Sequence, residues 1–81
     1  MKKKTPCLDL HGVLHDEADH IIEKFITDNF QRFPIIIITG YSSFFIKKMR
    51  EYTEKYELGY YPSRQGAAHS NYGCWIIFEN K

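Results

Sequence analysis

An acidic residue and a histidine lie two positions apart at the end of the first predicted strand. Asp9 and His11 belong to residues 6–11, Pro-Cys-Leu-Asp-Leu-His, whose alternation predicts a short strand with both side chains on one face. A carboxylate so close to an imidazole can orient it or raise its basicity, as general acid/base catalysis often uses. The same spacing fits a carboxylate that caps a loop beside an ordinary strand-end histidine, and both interpretations stay open.

A loop that could hold a phosphate follows the second predicted strand. Residues 39–43, Thr-Gly-Tyr-Ser-Ser, join the apolar run Ile35–Ile38 to a predicted helix. Gly40 permits close backbone approach, and the amides at the start of a helix favour an anion such as phosphate. Ser42 and Ser43 could line that site with their amides, or one of them could simply cap the helix.

Basic and amide side chains could add further contacts. Lys47 and Lys48 follow one turn along the predicted helix, and Arg64 lies with Asn71 in a polar loop over residues 62–72. The lysines could contact a nucleic-acid backbone, although adjacent lysines are also typical of a solvated helix face. Asn71 could hydrogen-bond a sugar or a base.

Hydrophobic periodicity predicts the elements that position these residues. Strands are expected over residues 6–11, 35–38, 58–61 and 73–79, and helices over residues 16–30 and 44–56. Two right-handed crossovers in the order βαβαββ put both helices on one face of a four-stranded mixed sheet, an α+β two-layer sandwich. Ligands gather at the carboxyl ends of parallel strands, so we expect Asp9 and His11 to lie beside the loop 39–43.

The sheet face without helices is expected to carry aromatic side chains. Tyr60 or Tyr61 would lie there, together with Trp75 or its neighbours. Aromatic rings on a flat sheet can stack nucleobases, and an exposed apolar face can equally contact a second copy or another protein. A monomer or a weak homodimer is compatible with these uses.

Length and composition describe one small domain over residues 1–81, with a flexible tail expected over residues 1–5. The chain has 43% hydrophobic residues, enough for a packed core, and a net charge of +1. Nucleic-acid binding would therefore need a local basic patch. The longest apolar run, Ile35–Ile38, is too short to span a membrane. Cys7 and Cys74 are too few for a disulfide scaffold, and we expect a cytoplasmic protein with both thiols buried.

Three stretches follow a pattern that is shared with a known family. Residues 8–12 read Leu-Asp-Leu-His-Gly, residues 35–40 form an apolar strand ending in Thr-Gly, and residues 71–73 read Asn-Tyr-Gly. They resemble the LDLHG opening, the second motif (a strand ending in His-Gly-x-Gly) and the final glycine turn of the Smr, or small MutS-related, domain. The resemblance covers essentially the whole chain. It implies a fold similar to the C-terminal domain of bacterial translation initiation factor three, nucleic-acid binding and, in many members, endonuclease activity.

The resemblance implies roles for individual residues. Asp9 and His11 match the Asp-x-His implicated in cleavage, and Gly40 matches the first glycine of the second motif. Thr39 stands where that motif usually has histidine, and Ser42 stands where it has its second glycine. The residues expected to bind nucleic acid or phosphate are Gly12, Thr39, Gly40, Ser42, Ser43, Lys47, Lys48, Arg64, Asn71 and Gly73.

The implied function is a stand-alone endonuclease that cleaves RNA or nicks DNA. Its partner would be RNA or single-stranded or branched DNA, with the ribosome or another protein as further partners. Cleavage through an RNA 2′-hydroxyl needs no metal, whereas DNA nicking would use an ion such as Mg²⁺, for which no ligand is assigned. The altered second motif supports an alternative, a catalytically silent module that binds nucleic acid or protein.

The same first motif also fits another enzyme class. Residues 9–14 read Asp-Leu-His-Gly-Val-Leu, which is similar to the DxDGVL motif of the haloacid-dehalogenase superfamily, and residues 38–40 are similar to its second motif. That chemistry places a second carboxylate two residues after the nucleophile, where this chain has His11. A degenerate phosphatase of this kind is the remaining alternative.

Overall fold

The computed structural model describes residues 5–63 and 73–79. Its elements, in chain order, are β1 (Cys7–Asp9), a 3₁₀ turn (His15–Glu17), α1 (Ala18–Asp28), β2 (Ile35–Ile38), α2 (Ser43–Lys55), β3 (Leu58–Pro62) and β4 (Cys74–Glu79). This succession confirms the predicted βαβαββ order, and the molecule has an α+β fold. None of the described helices is both long and apolar enough to cross a membrane.

The boundaries near β1 differ from the prediction. The first strand ends at Asp9, because the chain turns at His11 and Gly12, where Gly12 has a φ of 86° that side chains rarely adopt. The predicted helix 16–30 begins as a 3₁₀ turn, becomes α-helical at Ala18 and ends at Asp28. His11 therefore lies beyond the strand, on the loop that leads to α1.

The four strands form one mixed sheet in the order β1-β2-β4-β3. β1 pairs with β2 in parallel, with Leu8 opposite Ile37, and β4 runs antiparallel to both of its neighbours, with Trp75 opposite Ile37. β1, β2 and β3 therefore point the same way. The loops predicted to bind phosphate follow the ends of β1 and β2, at a single edge of the sheet, which we call the carboxyl edge.

The core lies between the sheet and the two helices, which pack side by side on one sheet face. Its buried apolar residues are Leu10, Ala18, Ile22, Ile26, Ile35, Ile37, Phe45, Met49 and Ile77. In α2, Tyr52 and Tyr56 are only half-buried, and Thr53 takes the core position. Thr53 lies four residues after Met49 and so shares its face, whereas the Tyr52 ring turns toward α1 and donates its hydroxyl to Asp19.

The sheet face away from the helices, which we call the open face, carries Cys7, Asp9, Ile36, Ile38, Tyr61, Cys74, Ile76 and Phe78. Tyr61 meets Phe78 there, with ring centroids 5.6 Å apart. The alternatives expected from the sequence, Tyr60 and Trp75, lie on the helix side instead, because strand alternation puts them opposite core residues.

The two thiols are not buried as expected. Cys7 is exposed and Cys74 is half-buried, and both are free. The reason is again the strand register, since each cysteine occupies a position on the open face, where the described helices do not pack.

Candidate functional site

The Asp9 carboxylate closes the turn that carries His11. The backbone N–H of His11 donates to Asp9 Oδ1 at 2.9 Å, and the N–H of Leu10 donates to the carbonyl of Ile38 at 2.9 Å. Over residues 5–63 and 73–79, no hydrogen bond joins this carboxylate to the His11 imidazole. The geometry is that of the loop-capping alternative, in which an Asp bonds a backbone amide two residues on. The turn leaves the His11 side chain exposed at the carboxyl edge.

Thr39 is buried at the end of β2 and ties this strand to β4. Its side-chain Oγ1 accepts a hydrogen bond from Trp75 Nε1 at 3.0 Å and donates to the carbonyl oxygen of Gly40 at 2.9 Å. Its backbone N–H donates to the carbonyl of Gly73 at 2.6 Å. At 6% exposure, its hydroxyl is a structural group rather than a surface ligand. The expectation that Thr39 binds phosphate stays a prediction, and these hydrogen bonds give the residue a role within the fold.

Gly40 and Gly73 are in direct backbone contact. The N–H of Gly40 donates to the carbonyl of Gly73 at 3.1 Å, and a Cβ added to Gly73 would lie 2.4 Å from the Cα of Gly40. Gly40 also has a φ of 63°, a conformation that suits glycine. Its amide, which the sequence assigned to a phosphate, is therefore engaged within the fold, and both glycines shape the loop.

Ser42 caps α2. Its Oγ accepts a hydrogen bond from the backbone N–H of Phe45 at 3.2 Å, and its carbonyl accepts from the N–H of Ile46 at 3.0 Å. The cap interpretation of Ser42 is thus the one its geometry fits. Ser43 is exposed as the first residue of the helix. The amides of Ser43 and Phe44 belong to the first turn of the helix, whose N–H groups have no acceptors within the helix and favour a negative charge nearby.

The two lysines of α2 have different surroundings. Lys47 is exposed and lies four residues after Ser43, on the same helix face. Lys48 contacts Asp19 of α1 at 3.0 Å and Glu51 at 3.6 Å, and hydrogen bonding to Asp19 raises the pKa of the Lys48 ammonium. Lys48 therefore joins the two helices and its charge is balanced locally. Lys47 is the more exposed of the pair, and the contact of either lysine with a phosphate stays a prediction.

A second histidine lies at the start of α2. The His15 ring stacks on Phe44, with centroids 3.9 Å apart and planes within 9°, and meets Phe45 edge to face at 5.3 Å. The sequence alone does not single out His15, since this contact joins residues far apart in the chain. Only the spacing of His15 four residues after His11 hinted at a shared location.

Other candidates do not belong to this constellation. Arg64 and Asn71, both expected to bind nucleic acid, lie outside the described residues. In the part of the chain that the structure describes, no group of three or more His, Cys, Asp or Glu side chains could hold a metal ion. An open cleft of about 420 Å³ lies at the opposite edge of the sheet, between Phe30, Phe33 and Tyr56, and is separate from the candidate site.

The carboxyl edge thus combines an exposed imidazole on an Asp-closed turn with the start of a capped helix and one exposed lysine. Comparison of the chain with protein-family models, with curated proteins and with solved structures found no match. The function of this chain is therefore inferred from its residues and their geometry.

Proposed function

We propose that this chain is a nucleic-acid-binding domain of the Smr type that binds RNA or single-stranded DNA at the carboxyl edge and cleaves the backbone. The proposal includes the fold similarity to the C-terminal domain of translation initiation factor three. The observation that carries it is the turn in which Asp9 Oδ1 accepts the His11 N–H, because this turn holds an exposed imidazole next to the β2–α2 loop.

Binding would rely on a few local groups. The first turn of α2 supplies backbone amides, and Lys47 lies one turn after Ser43 on the same helix, so that together they would suit one backbone phosphate. The net charge of +1 adds little long-range attraction. The affinity for nucleic acid should therefore be modest and should fall as salt rises.

The proposed reaction on RNA requires one side chain of the carboxyl edge, the His11 imidazole, as its base. His11 takes the proton of a 2′-hydroxyl, the 2′-oxygen attacks the adjacent phosphorus, and the bond to the 5′-oxygen breaks. The products are a 2′,3′-cyclic phosphate and a 5′-hydroxyl that receives its proton from water. Asp9 acts as a positioning residue, through the backbone of the turn and not through the imidazole. DNA has no 2′-hydroxyl, and the described residues provide no ligand cluster for Mg²⁺.

The test is cleavage of end-labelled structured RNA and single-stranded DNA, with Mg²⁺ or with EDTA. His11→Ala should lower the RNA cleavage rate by about 10²–10⁴-fold, the range for loss of a general base. Asp9→Ala should also lower it, whereas Asp9→Asn keeps a side-chain acceptor for the His11 N–H and should retain most activity. His20→Ala removes an exposed histidine of α1 and is the matched control.

Equal losses in Asp9→Asn and Asp9→Ala would show that the carboxylate charge matters and would contradict the positioning role. RNA cleavage that stops in EDTA would contradict the metal-free reaction. Full cleavage by His11→Ala would overturn the proposed site.

A second candidate function, binding without cleavage, is favoured by the hydrogen bonds of the second motif. Thr39 and the Gly40 amide are engaged with Trp75 and Gly73, and Lys48 is paired with Asp19. Fewer groups then remain to stabilise a transition state. Salt-sensitive binding with intact RNA and DNA in every lane would establish this function in place of the first.

A further inference from the structure

Tyr41 is the most exposed large apolar side chain in the described ranges. Its side chain is 74% exposed, and Leu14, at 62%, is the next. Both belong to the loops that follow β1 and β2, so both lie at the carboxyl edge with His11. Single exposed apolar residues are common on protein surfaces, but two in the loops of one candidate site are a more specific observation.

The backbone on each side of Tyr41 is anchored. Before it, the Gly40 N–H donates to the carbonyl of Gly73 and the Gly40 backbone lies against Gly73. After it, Ser42 caps α2 with its Oγ and starts the helical hydrogen bonds with its carbonyl. The backbone that carries the exposed Tyr41 side chain is therefore fixed on both sides, which reduces the entropy that a ligand must overcome on binding.

We propose that Tyr41 is a stacking platform for an unpaired nucleobase, so that the carboxyl edge selects single-stranded nucleic acid. This inference rests on the proposed function and specifies its substrate class. Every base has an aromatic face that can stack on a tyrosine, whereas the bases of a duplex already stack on one another. Tyr41 directly follows Gly40 and precedes Ser42 and Ser43, so a base on its ring has its own phosphate near the start of α2.

The arrangement separates the two parts of a nucleotide. The phosphate meets the first-turn amides of α2 and Lys47, and the base meets Tyr41, with the exposed Leu14 available on the neighbouring loop. His11 then lies toward the sugar and the scissile phosphate, which requires a strand that is free to splay its bases apart.

The test measures binding of short single strands by fluorescence anisotropy, with one arm in single-stranded DNA and one in 2′-O-methyl RNA, which lacks the nucleophile and stays intact. The matching duplexes form a third arm. Tyr41→Ala should raise Kd for both single strands by about tenfold, within the range for loss of one stacked base. Tyr41→Phe keeps the ring, and Tyr61→Ala removes a 48% exposed tyrosine of the open face, so both should leave Kd within about twofold.

A base-stacking readout accompanies the affinities. A 2-aminopurine in the single strand should lose fluorescence on binding, and Tyr41→Ala should abolish that quenching. Thermal unfolding of each variant should show a cooperative transition above the temperature of the binding assay, so that a change in Kd reports the side chain and not unfolding.

Binding by the unmodified protein that is unchanged in Tyr41→Ala would overturn this inference alone. A loss of equal size for the duplexes would overturn it as well, since stacking on an unpaired base would not explain it. No binding by the unmodified protein would overturn the proposed function and this inference with it. An effect of Tyr41→Ala on only one kind of single strand supports stacking and identifies that strand as the ligand.

Discussion

Gly73 lies against Gly40 so closely that a Cβ on Gly73 would come within 2.4 Å of the Gly40 Cα. The carbonyl of Gly73 also accepts the backbone N–H groups of both Thr39 and Gly40. The start of β4 is thereby fixed to the end of β2, next to the loop that carries Tyr41. The contact between these two glycines holds two strand ends together at the carboxyl edge, and the conformation of the adjacent loop depends on that contact.

Gly73→Ala should destabilise the fold by about 3 kcal/mol, the upper part of the range for overpacking, because the obstacle is backbone and cannot rotate away. Urea unfolding at neutral pH measures the change. Gly40→Ala is the control: its Cβ would meet nothing within 4 Å, so only the positive φ is penalised, by about 1 kcal/mol. A Gly73→Ala protein as stable as Gly40→Ala would contradict the close backbone packing.

The bond from Trp75 Nε1 to Thr39 Oγ1 predicts an energetic coupling between the half-buried Trp75 and the buried Thr39. Thr39→Val keeps the shape but leaves the indole N–H without its acceptor, which should cost about 1–3 kcal/mol of unfolding free energy. Trp75→Phe removes the donor, so Thr39→Val should be less costly in that background. A double-mutant cycle measured by denaturant unfolding should give a coupling of about 1 kcal/mol. Strictly additive costs would show that the bond contributes nothing.

The order of the elements and most of the core were predictable from the sequence. In α1 the periodicity of Ala18, Ile22 and Ile26 is strong, and the run Ile35–Ile38 is apolar on both faces. The end of β1 was predicted two residues too late. The Asp9 carboxylate offers the His11 N–H a local partner in place of a strand hydrogen bond, and alternation of residue types does not reveal that competition.

The candidate site was only partly predictable for a similar reason. The sequence located His11 and the β2–α2 loop at one edge, because that follows from strand direction. The hydrogen bond from Trp75 to Thr39 and the stacking of His15 on Phe44 are contacts between distant parts of the chain. The spacing of residues within one segment cannot predict contacts of this kind.

The contact between α1 and α2 predicts an acid-sensitive stability. Asp19 accepts hydrogen bonds from Lys48 and Tyr52, and Glu23 accepts them from Lys55 and Tyr56, which lowers the pKa of both carboxyls below their ordinary values. A carboxyl whose pKa is lower in the folded state stabilises the fold above its unfolded pKa. That contribution is lost as pH falls through the folded pKa, so the free energy of unfolding should decline below about pH 5.

The Asp19→Asn/Glu23→Gln double variant removes both carboxylates, and its stability should depend less on pH between about pH 5 and pH 2, as measured by urea unfolding at several pH values. Asp28→Asn is the control, since within residues 5–63 and 73–79 Asp28 forms an exposed pair with Lys24 of its own helix and no ion pair with α2. High salt should weaken the pH dependence of the unmodified protein, because both helix–helix contacts are open to solvent. If the stability of the double variant keeps its full dependence on acid, other carboxyls must cause that dependence. The two contacts between α1 and α2 would then not stabilise the helix pair, which positions Phe44 and the start of α2.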